Sequence, residues 1–200
     1  MSINWTDREG LERFMKEHLD EYRYTHSLGV QKMAASLAEI YGTDVEKADF
    51  AGRYHDIAKC FDQETSDRYV RKYGLDKSLI GNRSLAHSKV GAAILEHEYG
   101  VDDEELLDMV RCHTTGKAGM STAEEILYVS DAIEDNRGYP GLKALQKLAR
   151  EDLDEACLAI MEFSLDELVR KGKPIDNDTI EARDYIIDKI KEKKNKGQEK

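Results

Sequence analysis

Residues 19–42 read LDEYRYTHSLGVQKMAASLAEIYG. In this stretch Leu19, Tyr22, His26, Val30, Met33, Leu37 and Ile40 recur three or four residues apart, the spacing that lines one face of an α-helix. Gly42 stands where such a helix commonly ends. The same punctuation continues on both sides. Thr6 and Glu9 form a capping box that opens a helix to about His18. Thr43-Asp44 caps a helix through Ala48, Ala51, His55 and Ala58, and weaker periodic patterns over 64–73 and 85–99 stop at Gly74 and Gly100. Asp102 to Glu105 places acidic side chains at the start of a helix bearing Leu106, Leu107, Val110 and His113, where the helix dipole favours them. Residues 116–122 read as a loop, and Ser121 or Thr122 caps a helix bearing Ile126, Leu127, Asp131 and Glu134. After the turn-like segment 136–141, one long pattern runs from Leu142 to about Val169, and a last helix follows Asp176. The only prolines are Pro140 and Pro174, and no alternating strand pattern or repeat is visible.

These readings predict an all-α single domain. Residues 1–20 form an N-terminal helix, 21–141 the core, 142–188 C-terminal helices packed on it, and 189–200 a Lys-rich frayed tail. A chain of 200 residues buries enough surface to fold without disulfides. Its formal net charge of −11 excludes a general nucleic-acid binder, whose footprint is a basic face. No basic segment precedes an apolar one at the N-terminus, and no apolar run approaches the ~20 residues that span a bilayer. Cys60, Cys112 and Cys157 form no CxxC pair and read as reduced thiols, so the expectation is a soluble cytoplasmic protein with no membrane partner. The apolar run 153–168 packs internally or against a second copy, which leaves a homodimer open.

Four of the six histidines fall on apolar faces: His26, His55, His87 and His113. Asp56 directly follows His55, and Asp131 follows Leu127 by four. A single buried histidine is usually a satisfied core residue, and a His-Asp dipeptide by itself says little. The ordered set, spread over separate helices, is another matter. Buried imidazoles and carboxylates are unfavourable unless paired, protonated or bound to metal. Four imidazoles and two carboxylates, one able to bridge, match the needs of two divalent cations, and the N/O donor set suits Fe, Mn, Zn or Ni.

The order H…HD…H…H…D resembles the HD-domain superfamily of metal-dependent phosphohydrolases, and more closely its bacterial YqeK-type branch. The residues that carry the resemblance are Tyr24-Thr25-His26-Ser27, His55-Asp56-Ile57-Ala58-Lys59, His87-Ser88, His113-Thr114-Thr115-Gly116, and Ser130-Asp131-Ala132-Ile133-Glu134 with Asn136-Arg137. The resemblance implies a helical bundle with a dinuclear metal site. It also implies symmetrical hydrolysis of diadenosine tetraphosphate to two ADP, with a hydroxide bridging two iron ions as the nucleophile; Mn, Ni, Co or Zn are the alternatives. On that pattern His26, His55, Asp56 and Asp131 hold one metal, and Asp56 bridges to a second completed by His87 and His113. Asp56, Lys59 and Asp131 are the catalytic candidates. Arg23, Lys59, Lys89, Thr114, Gly116 and Arg137 are the substrate-binding ones. Tyr24, Tyr54 and Tyr139 are rings that would suit adenine, although tyrosines at helical spacing are more often core. His18 and His97 match nothing in the pattern and read as structural. The alternatives are another HD-domain phosphohydrolase, such as a nucleotidase or phosphodiesterase, and a non-catalytic metal-binding module. Gly138-Tyr139-Pro140 lies too far from His55-Asp56 to indicate the HD-GYP type and reads as a turn.

Overall fold

The computed structural model describes residues 7–198, and among them every α-helical or 3-10 segment is joined by turns, with no strand. The helices are α1 (Arg8–His18), α2 (Glu21–Tyr41), α3 (Val45–Tyr54), α4 (Gln63–Lys72), α5 (Arg83–Tyr99), α6 (Glu104–Cys112), α7 (Thr122–Ile133), α8 (Leu142–Glu151), α9 (Leu153–Arg170) and α10 (Asn177–Gln198), with a 3-10 turn at Lys77–Leu79.

Short acceptors start nearly all of them. Asp7, Asp20, Asp44, Asp62, Asp103 and Asp152 each accept a backbone N–H three residues on. Ser121 and Glu124 make a reciprocal capping box for α7. Part of the acidic charge therefore satisfies helix N-termini. The N-cap of α1 is Asp7; the expected cap Thr6 lies outside the described residues.

Helix α2 lies at the centre, against α3 and α7. Val30, Ala34, Leu37 and Ala38 are buried along it, and Ala48 and Ala51 are buried on α3. Gly52 lets the two backbones meet, since a Cβ there would lie 2.8 Å from the Cα of Gln31. Helix α5 packs on α6, and Val90, Ile94, Leu106 and Val110 of these helices are buried in the core. Helix α9 joins α7, α8 and α10.

Four expectations change. Helix α3 stops at Tyr54 rather than running through Ala58, because the imidazole of His55 takes the Gly52 carbonyl; tight turns with three-residue bonds then carry the chain to Phe61. The single pattern from Leu142 to Val169 is two helices broken at the extended Asp152, whose side chain caps the second. The lysine-rich end is helical through Gln198 rather than frayed from 189. Lys189 bridges Glu125 and Asp154, Lys193 pairs with Asp154, and Ile190 is buried. Finally, Tyr22 and Ile40 leave the buried stripe of α2 and are exposed. The apolar face of 153–168 turns inward, with Leu153, Ala156, Cys157, Ile160, Met161 and Leu165 buried. No described helix is long and apolar enough to cross a membrane.

Candidate metal centre

Five parts of the chain deliver six side chains to one buried point. His26 comes from the middle of α2, His55 and Asp56 from the turn after α3, and His87 from the first turns of α5. His113 caps α6, and Asp131 lies near the end of α7. The four histidines and Asp56 are all buried.

The histidine orientations follow from hydrogen bonds at Nδ1. His55 Nδ1 lies 2.9 Å from the Gly52 carbonyl, His87 Nδ1 2.7 Å from that of Ser84, and His113 Nδ1 2.8 Å from that of Val110. A carbonyl only accepts, so each Nδ1 carries the proton and donates it. Each Nε2 is left with its lone pair facing inward. His26 uses the Glu134 carboxylate instead, at 3.1 Å.

The two oxygens of Asp56 divide between two pairs of imidazoles. Oδ1 lies 3.2 Å from His87 Nε2 and 3.4 Å from His113 Nε2. Oδ2 lies 3.3 Å from His55 Nε2 and 3.8 Å from His26 Nε2. Asp131 Oδ1 closes the second group at 2.9 Å from His26 and 3.8 Å from His55. Within this cluster His26 Nε2, His55 Nε2 and Asp56 Oδ1 are buried without a hydrogen-bond partner among the described residues. The Nε2 atoms of His87 and His113 approach to 3.2 Å. Two lone pairs at that separation repel unless a cation lies between them, and the donor set is the N/O kind that divalent ions take. His26, His55 and Asp131, and separately His55, Asp56 and His113, converge closely enough to share an ion. The residues present fit bound metal.

The charges agree. Burial alone would raise the Asp56 carboxyl, but His55, Lys59 and His113 hold it well below the ordinary carboxylate value. Asp131 is held low in the same way, by His26 and His55 against burial. Burial pushes His87 down to about 4 and lowers His113, so both stay neutral with free lone pairs near pH 7. His55 is raised despite burial by Asp56 and Asp131.

Three cations border the cluster. Arg23 Nη1 donates to Asp56 Oδ2 at 2.7 Å, Lys59 Nζ lies 3.0 Å from His87 Nε2, and Arg137 Nη2 donates to Asp131 Oδ1 at 2.7 Å. The Thr114 hydroxyl is 3.1 Å from His87 Nε2 and 3.3 Å from His113 Nε2. Two sequence candidates lie elsewhere. Lys89 reaches Thr115 Oγ1 at 3.5 Å rather than the imidazoles. Gly116, the other candidate, already gives its N–H to Cys112 O at 2.7 Å, and a Cβ there would meet Met161 and Ala182 of the C-terminal helices. His18 stacks on Phe14 and His97 packs on Tyr73, away from the cluster as expected. Tyr54 is buried against Phe50, and Tyr24 is engaged by Glu12 and Arg53.

Glu134, which the sequence reading left without a role, stands directly behind His26. Fully buried, it accepts from His26 Nδ1 and, at its other oxygen, from the N and Nδ2 of Asn136 at 2.7 and 2.9 Å. Gly29 makes room for it, because a Cβ there would stand 2.1 Å from Glu134 Oε2. The only signal was the run Asp131 to Arg137, which named the segment but not the contact. Arg83 was also missed. It lines, with Tyr22, Arg23 and Lys59, a polar cavity of about 380 Å³ at the His87 end of the cluster. A second cavity, of about 290 Å³, opens at the Asp131 end.

The HD domain family matches residues 23–136, which hold all six converging side chains. The chain is 36% identical to the symmetrical bis(5'-nucleosyl)-tetraphosphatase of Bacillus subtilis, over 90% of this chain and 98% of that one. It is 38% identical to the protein of the same name from Staphylococcus aureus, over 88% and 93%. A crystal structure from Clostridium acetobutylicum, described as a "predicted HD superfamily hydrolase involved in NAD metabolism", superposes with a TM-score of 0.86 at 37% identity, over 90% and 97%. With that coverage and a matched segment that contains the whole cluster, this chain belongs to the HD domain family.

Proposed function

We propose that this chain is a metal-dependent hydrolase that cleaves diadenosine tetraphosphate symmetrically into two ADP. The observation that carries the reading is the Asp56 carboxylate, divided between two pairs of inward-facing imidazoles. The relatives named for that reaction, matched over nearly their full length, supply the substrate class.

On this reading His26, His55, Asp56 and Asp131 hold one divalent cation, and Asp56, His87 and His113 a second. Iron is the first candidate, with Mn, Ni, Co or Zn as alternatives for the same donors. When bound, such ions supply a water acidic enough to attack phosphorus near neutral pH and offset the charge that grows on the phosphate oxygens. The chain's own residues do the rest. Asp56 and Asp131 are the anionic ligands, and each is held in place by an arginine, Arg23 or Arg137. Those arginines and Lys59 present cationic donors where a polyphosphate crosses the cluster, and Lys59 is placed to offset charge on the departing ADP. The Thr114 hydroxyl adds a donor beside His87. A cavity at each end of the cluster suits a substrate cut at its centre, with one half lying on either side. Three free thiols, Cys60, Cys112 and Cys157, suit the reducing cytoplasm.

The test is product analysis. Metal-loaded protein given diadenosine tetraphosphate should release ADP alone by chromatography, and equal AMP and ATP would overturn the symmetrical reading. Asp56→Ala should lose both metal and turnover while circular dichroism stays helical. Full turnover in that variant would remove the bridging role.

A further inference from the structure

We propose that Tyr139 and Phe163 form a wall on which one purine base of the substrate stacks, so that the segment before α8 together with α9, rather than the metal-binding cluster, selects for a nucleoside. This deepens the reading above and rests on it.

The cavity of about 290 Å³ at the Asp131 end has two unlike ends. One is polar and belongs to the cluster: Asp131, 2.9 Å from His26, and Arg137, which grips it. The other is apolar, made by Tyr139, Leu145, Ile160 and Phe163. The rings of Tyr139 and Phe163 lie within 16° of parallel, with centroids 6.1 Å apart. The Tyr139 hydroxyl donates to the Ala132 carbonyl at 2.9 Å, which ties that ring to the end of α7. Phe163 projects from α9 beside the helix's buried face, and 56% of its surface remains exposed. A large apolar ring kept in water beside a cavity, parallel to a second ring, is the arrangement on which bases stack.

The combination selects the occupant. An anionic group at Arg137 and a flat apolar group at the two rings are the two ends of a nucleotide. Of the three tyrosines that would suit adenine, Tyr54 is buried and Tyr24 is engaged by Glu12 and Arg53, which leaves Tyr139. Tyr139, Leu145, Ile160 and Phe163, like Arg137, lie beyond residue 136, where the family match ends, whereas all six residues of the cluster lie within it. The cluster and Arg137 handle phosphate, while Tyr139 before α8 and the residues of α8 and α9 read the base.

Titration calorimetry on the metal-loaded enzyme, with ADP and with inorganic pyrophosphate as probes, separates the two parts. Phe163→Ala should weaken ADP about tenfold or more, the contribution of one stacked ring, and leave pyrophosphate within about twofold. KM for diadenosine tetraphosphate should rise in parallel, and Phe163→Trp should restore ADP affinity. ADP binding that is unmoved by Phe163→Ala, or a loss shared equally by pyrophosphate, overturns the proposal. Because Phe163 is largely exposed, the substitution does not threaten the core. If wild-type protein fails to cleave diadenosine tetraphosphate yet Phe163→Ala loses ADP selectively, the base wall stands and the substrate reading falls. If cleavage to ADP occurs and ADP affinity is unmoved, the wall alone falls.

Discussion

Glu134 decides how His26 presents itself. The carboxylate takes the Nδ1 proton of His26 with one oxygen and two donors of Asn136 with the other, so both the tautomer and the ring orientation are set from behind. Such partners of ligating histidines are typically worth about 10–100-fold in metal affinity or activity. Glu134→Gln, which weakens the acceptor but keeps the shape, should lower metal affinity by a factor in that range. Gly29→Ala should do the same without touching any ligand, because its methyl would displace Glu134. Metal titration with a competing chelator measures both, and wild-type affinity in Gly29→Ala would show that Glu134 has no positioning role. The six converging residues were legible in the sequence as an ordered His/Asp set. Glu134 and Gly29 were not, since residues 29 and 134 have no local relation and meet only because α2 packs on α7.

At the scale of elements, the C-terminal helix is pinned by a buried acidic pair on one lysine. Lys189 of α10 reaches Glu125 of α7 at 2.6 Å and Asp154 of α9 at 2.8 Å. Burial pushes Glu125 up to about 7, with Asp154 adding and Lys189 opposing, whereas Asp154 stays low and Lys189 is raised. Of the three, only Glu125 titrates between its ordinary value of 4.5 and about 7. The folded state binds the extra proton across that window, so the contribution of Glu125 to stability is full below about 4.5 and is lost as pH rises through about 7. Glu125→Gln removes this loss. The melting temperature of the variant minus that of wild type should therefore increase from pH 5 to pH 7.5, and a pH-independent difference would contradict the assignment. The lysine-rich stretch read as a tail on composition; it is a helix because its lysines have carboxylates to meet on α7 and α9. Helix starts were the most legible feature, since a cap lies within three residues of the N–H that it satisfies.

Across the whole molecule, the cluster ties together α2, the turn after α3, α5, the end of α6, and α7. Ions bound there would cross-link the core, and binding to the folded state alone would stabilise it by mass action. At a free metal concentration a hundredfold above the dissociation constant, one site contributes about 2.7 kcal/mol, or about 5–10 °C for a chain of this size. Removing metal with a chelator should lower the melting temperature by at least that much, as scanning calorimetry reads it; an unchanged melt would argue against a metal centre. The net charge of −11 fits this arrangement. Many of the carboxylates cap helices or face solvent, while Arg23, Lys59 and Arg137 gather at the edge of the His/Asp cluster.

By itself the sequence determined the helical class, the positions of most helix starts, and the six side chains whose chemistry defines the centre. Capping and amphipathic spacing act over three or four residues, and residue type sets which metals a side chain can bind. The tertiary structure decided what depends on residues far apart in the chain. It split the Asp56 carboxylate between two imidazole pairs, set Glu134 behind His26, turned Lys89 toward Thr115 and gave the Gly116 N–H to the Cys112 carbonyl. It also opened a cavity at each end of the cluster. Those outcomes come from how closely α2, α3, α7 and α9 pack, and no local pattern encodes that distance.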